Sequence, residues 1–113
     1  VRIAYLGANL SFEFAAAHQV RPDAETLCAM MRALTGKDKL EILRRCAAEP
    51  FSAAQLAASM NLNSGTVSRN VYGLYKLGYL ETRGDGERVN YITRPDALER
   101  LFSWVLEYVS EQK

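Results

Sequence analysis

The stretch Ser52-Ala-Ala-Gln-Leu-Ala-Ala-Ser-Met-Asn-Leu-Asn-Ser-Gly-Thr-Val-Ser-Arg-Asn-Val-Tyr-Gly-Leu-Tyr-Lys-Leu-Gly-Tyr-Leu80 decides the fold. It opens with Ser52 and, three residues on, Gln55, a capping-box pair in which each side chain satisfies a backbone N–H that a helix start leaves without a partner. Leu56, Ala57 and Met60 give this first helix an inward side, and Asn61-Leu62-Asn63 ends it. Asn63 then caps a second helix, about residues 63–77, with Val67, Val71, Leu74 and Leu77 as its core stripe and Gly78 where a left-handed residue belongs. Two short helices joined by a tight turn make a helix-turn-helix. With Val67, Val71 and Leu74 turned inward, the second helix presents Ser64, Gly65, Thr66, Ser68, Arg69 and Tyr72. Short hydroxyls and a glycine let a helix lie close in a major groove while Arg69 reaches a phosphate or a guanine edge. Any amphipathic helix also shows water a polar face, so the neighbouring segments have to decide between the two.

Downstream, Tyr79-Leu-Glu-Thr-Arg83 and Arg88-Val-Asn-Tyr-Ile-Thr93 alternate around Gly84-Asp-Gly-Glu87, the pattern of a β-hairpin over about residues 79–93. Arg83 and Arg88 flank its tip, where a basic hairpin following a helix-turn-helix would lie along a nucleic-acid backbone or minor groove. The chain as a whole is nearly neutral, with 14 basic and 13 acidic residues, so overall charge names no partner. Its distribution does. Between Asn61 and Arg94 stand Arg69, Lys76, Arg83, Arg88 and Arg94 against Glu81, Asp85 and Glu87, whereas beyond Pro95 the balance reverses, with Arg100 and Lys113 against Asp96, Glu99, Glu107 and Glu111. Positive charge gathers on the helix-turn-helix and hairpin.

Upstream, Pro22 is a good first-turn residue, Asp23 and Glu25 suit a helix start, and the stripe Leu27, Met30, Met31, Leu34 predicts a helix of about three turns. Thr35 and Gly36 end it. Thr35 is expected to cap the next helix with Asp38 in a capping-box-like arrangement, and Leu40, Ile42, Leu43, Cys46 and Ala47 to form that helix's buried side until Pro50 stops it. A last helix begins at Pro95 and Asp96. Leu98, Leu101, Phe102, Val105, Leu106 and Val109 form a full apolar stripe on it, and Trp104 and Tyr108 a second. A monomer of this size needs one buried face there, so the second predicts a surface covered by another copy. Residues 1–14 fit one or two short strands (Val1, Ile3, Tyr5; Leu10, Phe12, Phe14) or, through Leu10, Phe14 and Ala17, one face of a short helix. Residues 1–20 are therefore set apart as an N-terminal extension or the remnant of an upstream region, with the domain proper over 21–113. Val1 in place of an initiator Met fits a fragment whose upstream part has been lost.

The 113 residues, 49% of them apolar and 24% charged, suffice for one core without disulfide or metal staples and leave no room for a second domain. No apolar run approaches the roughly 20 residues a membrane-spanning helix needs, and no basic-then-apolar leader opens the chain, so a soluble cytoplasmic protein without a membrane partner is expected. Cys28 and Cys46 read as buried thiols in a reducing compartment. The single histidine, His18, has no Cys, Asp or Ser beside it that would make a recognisable dyad or triad, and no phosphate loop, His-Glu-x-x-His or Cys-x-x-Cys occurs. The chain does not read as an enzyme.

The segments Leu34-Thr-Gly-Lys-Asp-Lys-Leu-Glu-Ile-Leu43, Ala54 through Leu80 and Gly86-Glu-Arg-Val-Asn-Tyr91 resemble, in order and spacing, the ArsR/SmtB group of winged-helix repressors over about residues 25–110. The resemblance implies a mainly α fold with a small β-hairpin, a dimeric winged helix-turn-helix. It also implies a homodimer whose first and last helices form the interface and whose paired recognition helices read a palindromic operator in double-stranded DNA. On that basis Ser64, Thr66, Ser68 and Arg69 match the recognition-helix positions and Arg83 and Arg88 the wing. Leu27, Met30, Met31 and Leu34 with Leu98, Leu101, Phe102, Trp104, Val105, Tyr108 and Val109 are assigned to the dimer interface. Asn70 stands where many members carry His, and Gly65 and Gly73 are unusual inside such a helix. The group's metal sites need Cys on the helix matching Ser52–Met60, or Asp/His and His/Glu pairs on the last helix; neither is present. No metal and no cofactor is expected, and Met30 and Met31 read as packing. The alternative class is a winged helix that serves as a protein-interaction or dimerisation module without DNA binding; it would place apolar anchors on the helix of residues 64–72, where the sequence offers hydroxyls and Arg69, with Tyr72 and Tyr75 the only large candidates.

Overall fold

The computed structural model describes residues 20–84 and 88–111. In chain order they form α1 (Ala24–Arg32), α2 (Lys37–Ala48), α3 (Ala53–Met60), α4 (Ser64–Lys76), β1 (Leu80–Arg83), β2 (Asn90–Thr93) and α5 (Pro95–Ser110). The strands or short helix expected within residues 1–14 lie outside the described residues, as does most of the proposed extension 1–20.

Local chemistry sets the helix ends. Asp23 is the N-cap of α1, its carboxylate accepting the Thr26 N–H at 2.9 Å, so Pro22 precedes the helix and does not occupy its first turn. Thr35 does not cap α2 as expected. Its hydroxyl instead donates to the Arg32 carbonyl at 2.8 Å, and Gly36 takes the N-cap position without a side-chain bond. The last carbonyls of a helix lack intrahelical donors, and Thr35 is the first hydroxyl within their reach. The capping box of α3 forms as read: Gln55 N–H donates to Ser52 Oγ at 3.1 Å and Ser52 N–H to Gln55 Oε1 at 2.9 Å.

The core gathers Leu27 and Met30 of α1, Ile42, Leu43 and Cys46 of α2, Leu56 and Ala57 of α3, and Val67, Val71 and Leu74 of α4. Tyr79, Leu80, Ala97, Leu101 and Trp104 complete it. On α2 the inward side is narrower than the sequence suggested: Leu40 and Ala47 are exposed. At about 3.6 residues per turn both lie roughly a quarter-turn or more from the centre of the Ile42–Leu43–Cys46 face. Cys46 is sealed, and burial pushes its thiol up to about 11. Cys28, expected to be buried, is exposed, because Thr26, Leu27 and Met30 are the residues that α1 turns inward.

The last helix splits both of its expected stripes, burying Leu101 of the first and Trp104 of the second and exposing Phe102 and Tyr108. Ala97, Leu101 and Trp104 are buried against the body, while Phe102, Leu106 and Val109 are 59%, 67% and 71% exposed. A Trp side chain removes roughly 200 Å² from water at about 25 cal/mol per Å², more than Phe or Leu can offer. That decides which way the helix rolls. The Arg100 guanidinium lies 6.0 Å from the Trp104 ring centre, and Arg21 crosses the far end of the helix, paired with Glu107 at 3.0 Å and Glu111 at 2.6 Å and lying over the Tyr108 ring.

β1 and β2 pair antiparallel with Leu80 opposite Thr93 and Arg83 opposite Asn90. A bridge absent from the sequence reading adds a third segment at the base: Phe51 and Tyr91 exchange N–H···O bonds of 3.2 and 2.7 Å.

Candidate nucleic-acid interface

The turn between α3 and α4 is built from three residues. Asn61 adopts the left-handed region at φ 57°, a conformation asparagine tolerates better than other non-glycine residues. The Leu62 N–H then returns to the Ala57 carbonyl at 3.0 Å and closes α3. Asn63 Oδ1 accepts the Gly65 and Thr66 N–H groups at 2.8 and 3.2 Å and opens α4. The far end of α4 closes in a Schellman motif, with Gly78 at φ 83° and the Gly78 and Tyr79 N–H groups returning to Tyr75 and Leu74 at 3.0 Å each.

Between these ends Val67, Val71 and Leu74 are buried and Leu77 is half-buried. Of the residues expected on the outer face, Ser64, Ser68, Arg69 and Tyr72 are exposed and Gly65 and Thr66 half-buried. Two features explain the small residues near the helix start. A Cβ on Gly65 would meet Asn63 Oδ1 at 3.0 Å, so the cap itself excludes a larger residue. Arg69 folds back along its own helix, its guanidinium 3.4 Å from Thr66 Oγ1. Sequence reasoning missed the rest of the ridge. Gly73, whose Cβ position is empty space, and Lys76, with its ammonium 5.5 Å from the Tyr72 ring centre, carry the exposed face on toward the C-terminal end. The helical spacing Arg69, Tyr72, Lys76 was the available signal.

Arg83 and Arg88 are exposed at the last pair of the hairpin and just beyond it. The base of the hairpin is tied to α4 by an edge-to-face contact of Tyr75 with Tyr91, ring centres 6.4 Å apart. A cleft of about 410 Å³ separates the start of α3 from the hairpin, lined by Ser52, Ala54, Gln55, Arg88, Val89 and Asn90. Arg21, Arg44, Arg45, Arg94 and Arg100 each hold a carboxylate, whereas among the described residues Arg69, Arg83 and Arg88, like Arg32 on α1, form no ion pair. Among the described residues no three His, Cys, Asp or Glu side chains gather in a way that could hold a metal ion, and no helix is long and apolar enough to cross a membrane.

Of the residues assigned to a dimer interface, Leu27, Met30, Leu101 and Trp104 are consumed by the core of one chain. Met31, Leu34, Leu98 and Val105 are half-buried, and Phe102, Tyr108 and Val109 are exposed, together with Leu106.

No family model and no curated protein matches the sequence. Solved structures do. An ArsR-like transcriptional regulator from Rhodococcus sp. RHA1 superposes with a TM-score of 0.64 at 22% identity, over 74% of this chain and 77% of that one. The homodimeric winged helix-turn-helix DNA-binding domain of a possible ArsR-family transcriptional regulator from Mycobacterium bovis gives 0.59 at 21% identity, over 88% of both chains. NolR from Sinorhizobium fredii gives 0.59 at 20% identity, over 76% of this chain and 87% of that one. The fold is the winged helix-turn-helix of the Mycobacterium bovis domain: α3 and α4 are the helix-turn-helix, and β1–β2 is the wing.

Proposed function

We propose that this chain is a DNA-binding transcriptional regulator of the ArsR type, acting as a repressor. It binds a palindromic operator as a homodimer, with α4 in the major groove and the wing on the adjoining backbone. The observation that carries the reading is a set of arginines on one fold that hold no carboxylate among the described residues. Arg69 lies on an outer α4 face of hydroxyls and glycine, and Arg83 and Arg88 stand on the wing, while most other arginines are neutralised within the chain. Arg69 would read a guanine edge or a phosphate once it swings away from Thr66, and Ser64, Thr66, Ser68 and Tyr72 would supply short polar and stacking contacts around it. Arg83 and Arg88 would neutralise phosphates, and the cleft between α3 and the wing gives the sugar-phosphate strand a path.

The outer face of α5 supports dimerisation. Phe102, Leu106 and Val109 repeat at four and three residues, form one apolar stripe and are more than half exposed. Solvent-facing stripes of that kind mark interaction surfaces. Half-buried Leu98 and Val105 border it, and the Mycobacterium bovis domain of the same fold is homodimeric. Two-fold pairing of α5 and α1 would set the two α4 helices about one DNA turn, roughly 34 Å, apart. The test is a titration of the purified chain against its own upstream promoter region and an unrelated duplex of equal length. The reading expects a dimer that prefers the promoter by at least about a thousandfold at physiological salt; equal affinity for both, or none, refutes sequence-specific regulation.

A further inference from the structure

The hydrogen-bonding groups of Tyr79 go to three different elements. Its N–H donates to the Leu74 carbonyl at 3.0 Å and completes the Schellman end of α4. Its carbonyl accepts the Arg94 N–H at 2.9 Å, at the residue that leads into α5. Its hydroxyl donates to the Met30 carbonyl of α1 at 3.0 Å, across 49 positions of sequence. The side chain between these contacts has no exposed surface, and burial pushes its phenol above the usual range, so it stays a donor at any physiological pH.

The α1 carbonyl that Tyr79 reaches is one the helix cannot satisfy itself. Of the last four, Ala29 accepts from the Ala33 N–H, Met31 from Leu34, and Arg32 from Thr35. Met30 has the Tyr79 phenol. Removing one partner of a buried bond leaves the other group desolvated and unpaired, so the phenol is held in place from both sides. α1 packs on α5, and the outer face of that pair is the surface proposed above to dimerise. The end of the recognition helix is thus fastened to the dimer layer at a single buried residue.

We propose that Tyr79 is a positioning residue, whose hydroxyl fixes the orientation of α4 relative to the α1–α5 layer and so the ability of the dimer to discriminate between DNA sequences. The proposal rests on the DNA-binding reading for its consequence, though not for its geometry. If α4 is held at one angle by this bond, both recognition helices of a dimer enter successive major grooves together; if the bond is lost, each α4 rocks independently. Base contacts then suffer, while phosphate contacts, which tolerate displacement, are kept.

A second buried bond of the same kind supplies the control. Thr93 Oγ1 donates to the Leu43 carbonyl at 2.7 Å across 50 positions, joining β2 to α2 without touching α4. Tyr79→Phe and Thr93→Val each delete one buried hydroxyl at nearly constant volume. The experiment compares parent, Tyr79→Phe and Thr93→Val as full chains, by hydrogen exchange and by binding to the promoter and an unrelated duplex. Tyr79→Phe is expected to speed exchange about tenfold at the end of α1 and the end of α4 together, the loss of one buried hydrogen bond. It should also lower the promoter-to-unrelated affinity ratio about tenfold, with affinity for unrelated DNA unchanged. Thr93→Val should leave both helix ends and the ratio as in the parent. Parent-like exchange at both ends in Tyr79→Phe, or an equal fall in the ratio for Thr93→Val, overturns the proposal. A parent without promoter preference removes the DNA-binding reading, while the exchange measurement still decides whether Tyr79 couples the two helices.

Discussion

Two exposed faces of this molecule, the outer ridge of α4 and the outer ridge of α5, are both helical, both turned to water, and opposite in chemistry. α4 shows Ser64, Ser68, Arg69, Tyr72, Gly73 and Lys76; α5 shows Phe102, Leu106 and Val109. The partners proposed above account for each. A face meant for a hydrated, negatively charged groove keeps small polar side chains and unpaired cations, because a wet interface tolerates displaced water and is steered by charge. A face meant for another protein surface gains from apolar area removed from water, and leaving such a stripe bare carries a solubility cost that selection removes unless something covers it.

The largest effect expected from this contrast is on α5. Phe102→Asp, or Leu106→Asp, should convert a micromolar dimer to monomer in sedimentation. Promoter affinity should fall by at least about a hundredfold, since two linked half-site contacts become one; a parent already monomeric breaks the comparison. On α4, Arg69→Ala should leave the dimer intact and cost roughly 1–3 kcal/mol of promoter binding if it reads a base, measured by anisotropy against the unrelated duplex. An equal loss on both duplexes reassigns it to a phosphate. Arg88→Ala should weaken both duplexes alike and reduce the slope of log affinity on log salt by about one unit. Gly73→Ala sharpens the contrast. No atom of the chain blocks a Cβ there, so the variant should gain about 1 kcal/mol of stability, read as a higher Tm. The smallest effect lies off both faces. Hydrogen bonds from Arg44 and then Arg45 hold the Glu41 carboxyl down to about 2, from an ordinary value of 4.5. Its folded value is depressed, so its stabilisation is present above about pH 4.5 and is lost as pH falls toward 2. Glu41→Gln should lower stability slightly at pH 7 and progressively less as pH falls through that window toward 2, flattening the curve, in chemical denaturation at each pH.

The helix-turn-helix was legible because its signals are local. Ser52 with Gln55, Asn63, and Gly78 act on backbone groups within four residues, so a sequence window contains both partners. The outward residues of α4 followed from Val67, Val71 and Leu74 by subtraction. What escaped depends on partners distant in sequence. Both stripes of α5 have helical spacing, and only packing against the body selects Ala97, Leu101 and Trp104 for the inside. Leu40 and Cys28 were misplaced for the same reason: periodicity gives a face, and the neighbouring elements decide how wide it is. Thr35 could serve the helix before it or the one after, and the unmet carbonyl of Arg32 took it. Gly73 and Lys76 were not placed on the outer face because the stripe of small polar residues was followed only as far as residue 72, and the Phe51–Tyr91 bridge pairs single residues 40 positions apart.

That bridge has a consequence for how such a wing can change over generations. The hairpin is held at Tyr91 by the Phe51 bridge and by the Tyr75 ring, and at its base the register is fixed by Leu80 and Thr93, both buried. Slippage by one residue would expel Leu80 from the core, so the base is mechanically stiff. Residues added between Gly84 and Arg88 would leave that base untouched, at a closure cost that grows only with the logarithm of loop length, and would extend each strand's reach by about 3.3 Å per residue. The wing is therefore an adjustable arm on a fixed shoulder, and descendants of this chain can alter its reach without renegotiating the fold.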